Sequence, residues 1–250
     1  MKAVFKSDGD VIVITGGANG IGRALALVAH AAGAHVVVCD IGTAALDRLT
    51  AEAPDISVRQ LDVADRTAVM ETFAGIEAEF GRIDGLVCGA AIQPRINAHE
   101  ISLEEWRRVM QVNLDGVLWA YQAAAPGMIK RRKGSVIAFS SGLAHQGWPM
   151  AAAYAASKAA LIAFVKSAAK EVLPHRVRIN IVWPGVIDTE QYRAANPGAE
   201  GESWKQTLGV GSPEDVTGPL MFLLSDAATM SGSILTRDMA YSFEDRSFTK

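Results

Sequence analysis

The sequence predicts an α/β protein, an open parallel sheet doubly wound with helices on both faces. Three observations predict it. Short β-branched runs alternate with longer Ala- and Leu-rich stretches along most of the chain. The short runs are apolar throughout instead of alternating, which implies burial on both faces of a sheet. No Pro/Gly/Ser linker and no repeat interrupts the pattern, so successive βα units in a single domain over residues 1–250 account for it.

The first strand is Val11 to Ile14, and a helix follows from Gly20 to Ala32, ending at Gly33. Further strands are read at His35–Cys39, Ile56–Leu61, Gly85–Cys88, Ser135–Phe139 and Arg178–Trp183. Helical stretches lie between them at Ala44–Ala51, Thr67–Phe80, Leu103–Met128 and Ala151–Leu173. Residues 188–210 break the alternation, with Pro197, Gly198 and Gly201 among two aromatics and mixed charge. That composition suits a flap over a site.

Of the 250 residues, 50% are hydrophobic and 20% charged, with a formal net charge of −3. A disordered or collagen-like chain is excluded, and the balance gives no electrostatic case for nucleic acid or an anionic membrane. The run Lys130-Arg131-Arg132-Lys133 reads as a solvated turn after a helix, where cations suit the helix dipole. Cys39 and Cys88 cannot build a disulfide framework and fit a reducing compartment as buried small hydrophobes. The opening residues reach acids before any apolar run, and no apolar stretch has the ~18–20 residues of a membrane span. The expectation is a cytoplasmic protein acting on a small molecule.

After Ile14 comes Thr15-Gly16-Gly17-Ala18-Asn19-Gly20-Ile21-Gly22, running straight into the helix. Glycines let the chain turn sharply and let a pyrophosphate approach, while the helix N-terminus offers free N–H groups. The spacing differs from G-x-G-x-x-G and lacks the lysine of a P-loop, so a helix-entry turn with glycines for packing is the alternative. Asp40, at the end of the second strand, lies where an acid accepts hydrogen bonds from a ribose 2′-OH and repels a 2′-phosphate. Ile41, Gly42 and Thr43 follow it without a cation, which favours NAD over NADP. A loop or capping carboxylate is the alternative for Asp40. Asp62 and Val63 either flank an adenine, or Asp62 caps the next helix.

Tyr154 and Lys158, four residues apart in an Ala-rich helix, share one face. An ammonium near a phenol favours the phenolate and pulls a pKa of about 10 toward neutrality, as an acid/base for an alcohol requires. Ser141 follows the fifth strand, at the edge where open α/β sheets bind ligands, and can donate to a carbonyl or alkoxide oxygen.

Taken together, these motifs resemble the short-chain dehydrogenase/reductase family, whose members are single Rossmann-like domains of this length. The resemblance rests on Thr15-Gly16-x-x-x-Gly20-x-Gly22, Asp40, Asp62-Val63, Val112-Asn113-Leu114-Asp115-Gly116, Ser141, Tyr154-x-x-x-Lys158 and Pro184-Gly185-Val186-Ile187-Asp188-Thr189. It implies that Tyr154 is the general acid/base, that Ser141 polarises the substrate oxygen and that Lys158 binds the nicotinamide ribose. By the same resemblance Asn113 holds a water of a proton relay, and the backbone near Ile187 anchors the carboxamide with Thr189. Asn19, Ile21, Ala90, Pro184 and Gly185 join the cofactor set, and the assembly is a homotetramer.

Two departures stand out. Cys88-Gly89-Ala90-Ala91 replaces the family's Asn-Asn-Ala-Gly, removing one side chain that braces the sheet beside the adenosine. Arg237-Asp238-Met239-Ala240 replaces Asp-Gly-Gly near the end, which puts the last strand in question. A serine hydrolase is disfavoured because Ser141 is not in a G-x-S-x-G elbow, and the five scattered histidines form no metal motif. A non-catalytic NAD(H)-binding scaffold or redox sensor is the alternative on this fold. Candidate pocket residues are Gln93, Leu143, His145, Trp148, Tyr192 and Trp204, with Met150, Trp183 and Val186 beside them. That wall suits a cyclic or aromatic secondary alcohol, a dihydrodiol or a sugar. Arg95, also a pocket candidate, could meet a carboxylate, but an exposed loop cation is the preferred expectation.

Overall fold

Apolar runs that must bury both faces leave one solution, a sheet covered on each side. In the computed structural model, which describes residues 5–197 and 210–237, the strands are β1 (Val11–Thr15), β2 (His35–Asp40), β3 (Ser57–Gln60), β4 (Gly85–Cys88), β5 (Gly134–Phe139), β6 (Val177–Trp183), β7 (Val186–Ile187), β8 (Val210–Gly211) and β9 (Ile234–Thr236). The main sheet has the order β3-β2-β1-β4-β5-β6-β9, and every pairing in it is parallel. Its winding reverses between β1 and β4, the place where the carboxyl ends of such a sheet open a crevice. The helices are α1 (Gly20–Ala31), α2 (Thr43–Glu52), α3 (Arg66–Phe80), α4 (Leu103–Met110), α5 (Gly116–Arg131), α6 (Leu143–Gln146), α7 (Ala152–Val172), α8 (Glu190–Ala195) and α9 (Thr217–Leu224). Among the described residues no helix is long and apolar enough to cross a membrane.

The apolar side chains of the inner strands divide between two cores. Val11 and Val13 pack with Phe73, Met128 and Leu161 on one face. Ile12 and Ile14 pack with Leu25, Leu49 and Leu220 on the other. All five residues of β1 are buried, and so are all six of β5. β3 at the sheet edge is only part-buried, because one of its sides has no neighbouring strand.

Three sequence expectations change. The helix read as continuous over 103–128 is broken by a π-helical turn at Gln111–Asp115 between α4 and α5, and turns of this kind gather at functional sites. The basic run is not simply solvated: Arg131 Nη2 donates to the Ile83 carbonyl at 2.6 Å and Lys133 Nζ bonds Asp10 at 2.9 Å. The last strand forms despite the altered motif, with Ile234–Thr236 parallel to β6 and Arg237 N donating to the Trp183 carbonyl at 2.9 Å. Asp238, Met239 and Ala240 lie outside the described residues. So do Gly198, Gly201 and Trp204 of the predicted flap, whose two ends meet in the parallel pair of β7 and β8.

Candidate active site

The crevice between β1 and β4 holds an open cavity of about 390 Å³. Its floor is the glycine turn. Gly16 has φ +66°, and a Cβ there would stand 2.5 Å from Ala90 N, so only glycine lets these two loops touch. Asn19 precedes α1 without a side-chain cap, and no acid occupies the first turn. The N–H groups of α1 therefore face the cavity free to bind an anion. Thr189 closes the turn from above, its methyl 3.1 Å from where a Cβ on Gly20 would sit.

Gly16, Asn19, Gly20, Ile21, Gly22, Asp40, Asp62, Val63, Ala90, Tyr154, Lys158, Pro184 and Thr189 all line this cavity. Gly185 and Ile187 do not. Gly185 turns the chain against the Arg237 carbonyl, and Ile187 is buried in β7. Asp40 accepts from Ala18 N and Gly42 N, both at 3.0 Å, so it braces the turn and still presents a carboxylate to the cavity. Asp62 does not cap α3, a task performed by Asp65. Instead Asp62 accepts from Ala64 N at 3.0 Å and pairs with Arg108 at 2.9 Å. Arg108, which no motif in the sequence singles out, also lines the cavity. With Cys88-Gly89 in place of Asn-Asn, the floor is braced by main chain, Gly89 N donating to the Thr15 carbonyl at 2.9 Å. Cys39 and Cys88 are buried and their thiols are pushed up to about 12 by burial, so both behave as small hydrophobes.

At the far end, β5, the π turn and α7 bring the four predicted catalytic residues together. The Ser141 hydroxyl lies on the side of the Tyr154 phenol, where it favours the charged form. Lys158 Nζ stands 5.6 Å from the centre of the Tyr154 ring and donates to the Phe139 carbonyl at 2.9 Å. Asn113, fully buried, accepts from Ile92 N at 2.8 Å and donates to Ile92 O at 2.9 Å and to Ser157 Oγ at 3.1 Å. Ser157 in turn donates to the Tyr154 carbonyl at 2.7 Å. Ser140, which the sequence reading passed over, donates to the Lys158 carbonyl at 2.9 Å and ties the end of β5 to α7.

The electrostatics correct one expectation. Burial is the largest influence on Tyr154 and pushes its phenol above the ordinary value, against the lowering pull of Ser141 and of the Arg95 charge. Burial also lowers Lys158 to about 8. The lysine thus gives up part of its own charge at alkaline pH instead of dragging the tyrosine toward neutrality.

Arg95 is not an exposed loop cation. Its guanidinium donates through Nε to the Ala195 carbonyl at 3.1 Å and through Nη2 to Asn196 Oδ1 at 2.8 Å, while burial lowers its pKa. The other pocket candidates are dispersed: Gln93, Leu143 and Tyr192 are part-buried outside the cavity lining, and His145 and Trp148 are exposed. His145 packs on Trp183 with ring centres 4.8 Å apart. Trp204 lies outside the described residues.

Comparison with known proteins agrees with this geometry. Residues 10–200 match the family model described as short chain dehydrogenase. The chain is 36% identical over 241 residues to a 3-oxoacyl-[acyl-carrier-protein] reductase of Thermotoga maritima, covering 94% of this chain and 98% of the relative. It is 32% identical over 248 residues to a D-threitol dehydrogenase of Mycolicibacterium smegmatis, covering 96% and 95%. A solved short-chain dehydrogenase/reductase of Brucella melitensis, described as glucose/ribitol dehydrogenase, superposes with a TM-score of 0.86 at 30% identity over 94% of this chain and 97% of its own. With its parallel sheet, glycine cradle and full-length relatives in agreement, the chain belongs to the short-chain dehydrogenase/reductase family and is an oxidoreductase acting on CH–OH groups with a nicotinamide cofactor.

Proposed function

We propose that this protein interconverts a secondary alcohol and its ketone with NAD(H), using Tyr154 as the general acid/base. The observation that carries the reading is that Tyr154 and Lys158, 5.6 Å apart from ring centre to Nζ, line the same cavity as the glycine turn and Asp40. Gly16 and the α1 N-terminus would hold the pyrophosphate, Asp40 the adenosine ribose, and Lys158 the second ribose. The carboxylate of Asp40 repels a 2′-phosphate, and no cation at position 41 offsets it. Bound nicotinamide supplies a hydride acceptor or donor.

The residues of this chain handle the proton. In oxidation the Tyr154 phenolate takes the proton of the carbinol while Ser141 donates to the same oxygen. In reduction the phenol returns it to the forming alkoxide. Because burial raises Tyr154, the phenol form prevails at neutral pH, and oxidation should accelerate as pH rises. The side-chain donors of Asn113 are spent on Ile92 and Ser157, so any water of a proton relay is held by its main chain. Residues 188–210 would close over the substrate, and Leu103 and Trp106, exposed on α4, offer apolar surface that a homotetramer would cover.

The relatives support the substrate class: one is named for a polyol and another for a 3-oxoacyl group. Tyr154→Phe keeps the ring and removes the proton carrier, so turnover of a responsive secondary alcohol should fall ~10²–10⁴-fold while NADH binding and circular dichroism persist. A folded Tyr154→Phe protein with most of its turnover would place the base elsewhere. Binding of NADH without turnover on any secondary alcohol would leave a scaffold.

A further inference from the structure

We infer that Arg95 is an oxyanion subsite beside Tyr154, so that the alcohol or ketone handled here carries a carboxylate or a phosphate. The inference rests on the reading of Tyr154 as the proton carrier and names the substrate class for that site.

The loop that bears Arg95 is held at both ends. Ile92 is clasped through its N–H and its carbonyl by the Asn113 amide, at 2.8 and 2.9 Å. Ile96 N donates to the Met150 carbonyl at 2.9 Å, just ahead of α7 and Tyr154. Between these anchors the guanidinium spends Nε on Ala195 O and Nη2 on Asn196 Oδ1. Nη1 is buried and among the described residues has no hydrogen-bond partner.

What the guanidinium lacks among the described residues is a counter-charge. Arg82 and Arg131 also bury an N–H without a partner, yet each is neutralised by a carboxylate, Asp84 and Glu77 respectively. Both of Arg95's partners are neutral oxygens, and among the described residues no carboxylate pairs with it. A half-buried cation with only neutral partners is costly to hold unless an anion completes it. The free edge of a planar guanidinium matches a carboxylate or phosphate in geometry as well as charge. Its charge is felt at both Tyr154 and Tyr192, so the guanidinium stands within electrostatic range of the reacting oxygen.

The test uses matched pairs, with the acid-to-neutral ratio as readout. One arm compares 2-, 3- and 4-hydroxycyclohexanecarboxylates with their carboxamides. The other compares phosphorylated polyols with the unphosphorylated polyols. Each pair is measured as kcat/KM with NAD, and as affinity by calorimetry on the enzyme saturated with NADH. The charged member of at least one pair should be favoured about 10- to 100-fold, the range of a charge-assisted hydrogen bond, and the favoured arm tells carboxylate from phosphate. Arg95→Gln should bring that ratio to about one, whatever it does to the neutral member, and Arg95→Lys should restore part of it. A purely structural Arg95 would lower both members together and keep the ratio. The inference is overturned if the parent does not discriminate in any pair, or if Arg95→Gln keeps the preference. Tyr154→Phe separates the two readings: it should cut turnover ~10²–10⁴-fold and leave the calorimetric preference for the anion intact.

Discussion

Lys158 Nζ donates to the Phe139 carbonyl at 2.9 Å, a bond that fixes the ammonium against the end of β5 and 5.6 Å from the Tyr154 ring. The side chain is 3% exposed, and this carbonyl is the protein hydrogen-bond partner that answers its charge. Burial lowers its pKa from 10.5 to about 8. The charge is therefore present well below pH 8, half lost near that value and gone well above it. NADH affinity should follow the same course if the ammonium grips a ribose, falling above pH 8 in the parent. Lys158→Met should bind NADH weakly at every pH and show no such fall. Replacing a buried cation with an apolar chain of similar length should not lower thermal stability. Titrations from pH 6 to 10 that give parallel curves for both proteins would remove Lys158 from the cofactor grip.

Asp40 sets the second expectation. It accepts from Ala18 N and Gly42 N and still faces the cavity, whereas Ile41 beside it is 56% exposed. Asp40→Ala with Ile41→Arg should exchange a repulsive carboxylate for an attractive cation toward a 2′-phosphate. The ratio of kcat/KM for NAD over NADP should drop at least about 100-fold, equivalent to ~2.7 kcal/mol. Leaving Ala18 N–H unpaired should cost about 1–3 kcal/mol of stability, so the comparison belongs well below the melting temperature. Equal use of both cofactors by the parent would refute the reading of Asp40.

Much of this arrangement was legible because it is local. The glycine turn, the strand-end acid and the Tyr154/Lys158 spacing are each set within a few residues, and the structure puts all of them on one cavity. Arg95 was misread because its cover arrives from Ala195 and Asn196, a hundred residues further on. The tyrosine's pKa was misread for a related reason. The helical spacing shows which charge stands near the phenol but not how deeply the sheet edge and the neighbouring loops bury it. The π turn escaped because Asn113 in a helical run carries no local sign that its partner is the backbone of Ile92.

Asn113 carries the last prediction, which concerns stability as much as chemistry. Its amide is the junction of three segments: the loop after β4 through Ile92, the π turn that holds Asn113 itself, and α7 through Ser157. Asn113→Leu fills the space without donors or acceptors and leaves the Ile92 N–H, the Ile92 carbonyl and Ser157 Oγ short of a partner. Each unpaired buried group costs about 1–3 kcal/mol, and partial relaxation makes a total near 2–4 kcal/mol reasonable. In a chain of this size that corresponds to a melting temperature lower by roughly 5–15 °C. Asn113→Asp keeps the acceptor for Ile92 N but offers the Ile92 carbonyl no hydrogen, so it should not rescue the fold at neutral pH. It should recover part of the loss on acidification, when the protonated carboxyl can donate again. The loop carrying Arg95 begins at this clasp, so Asn113→Leu should also speed amide hydrogen exchange at residues 92–96 more than in α1. Differential scanning calorimetry at pH 5 and 7.5, with exchange followed by mass spectrometry, checks both effects. Unchanged melting together with unchanged exchange at 92–96 would show that the Asn113 amide does not hold the loop.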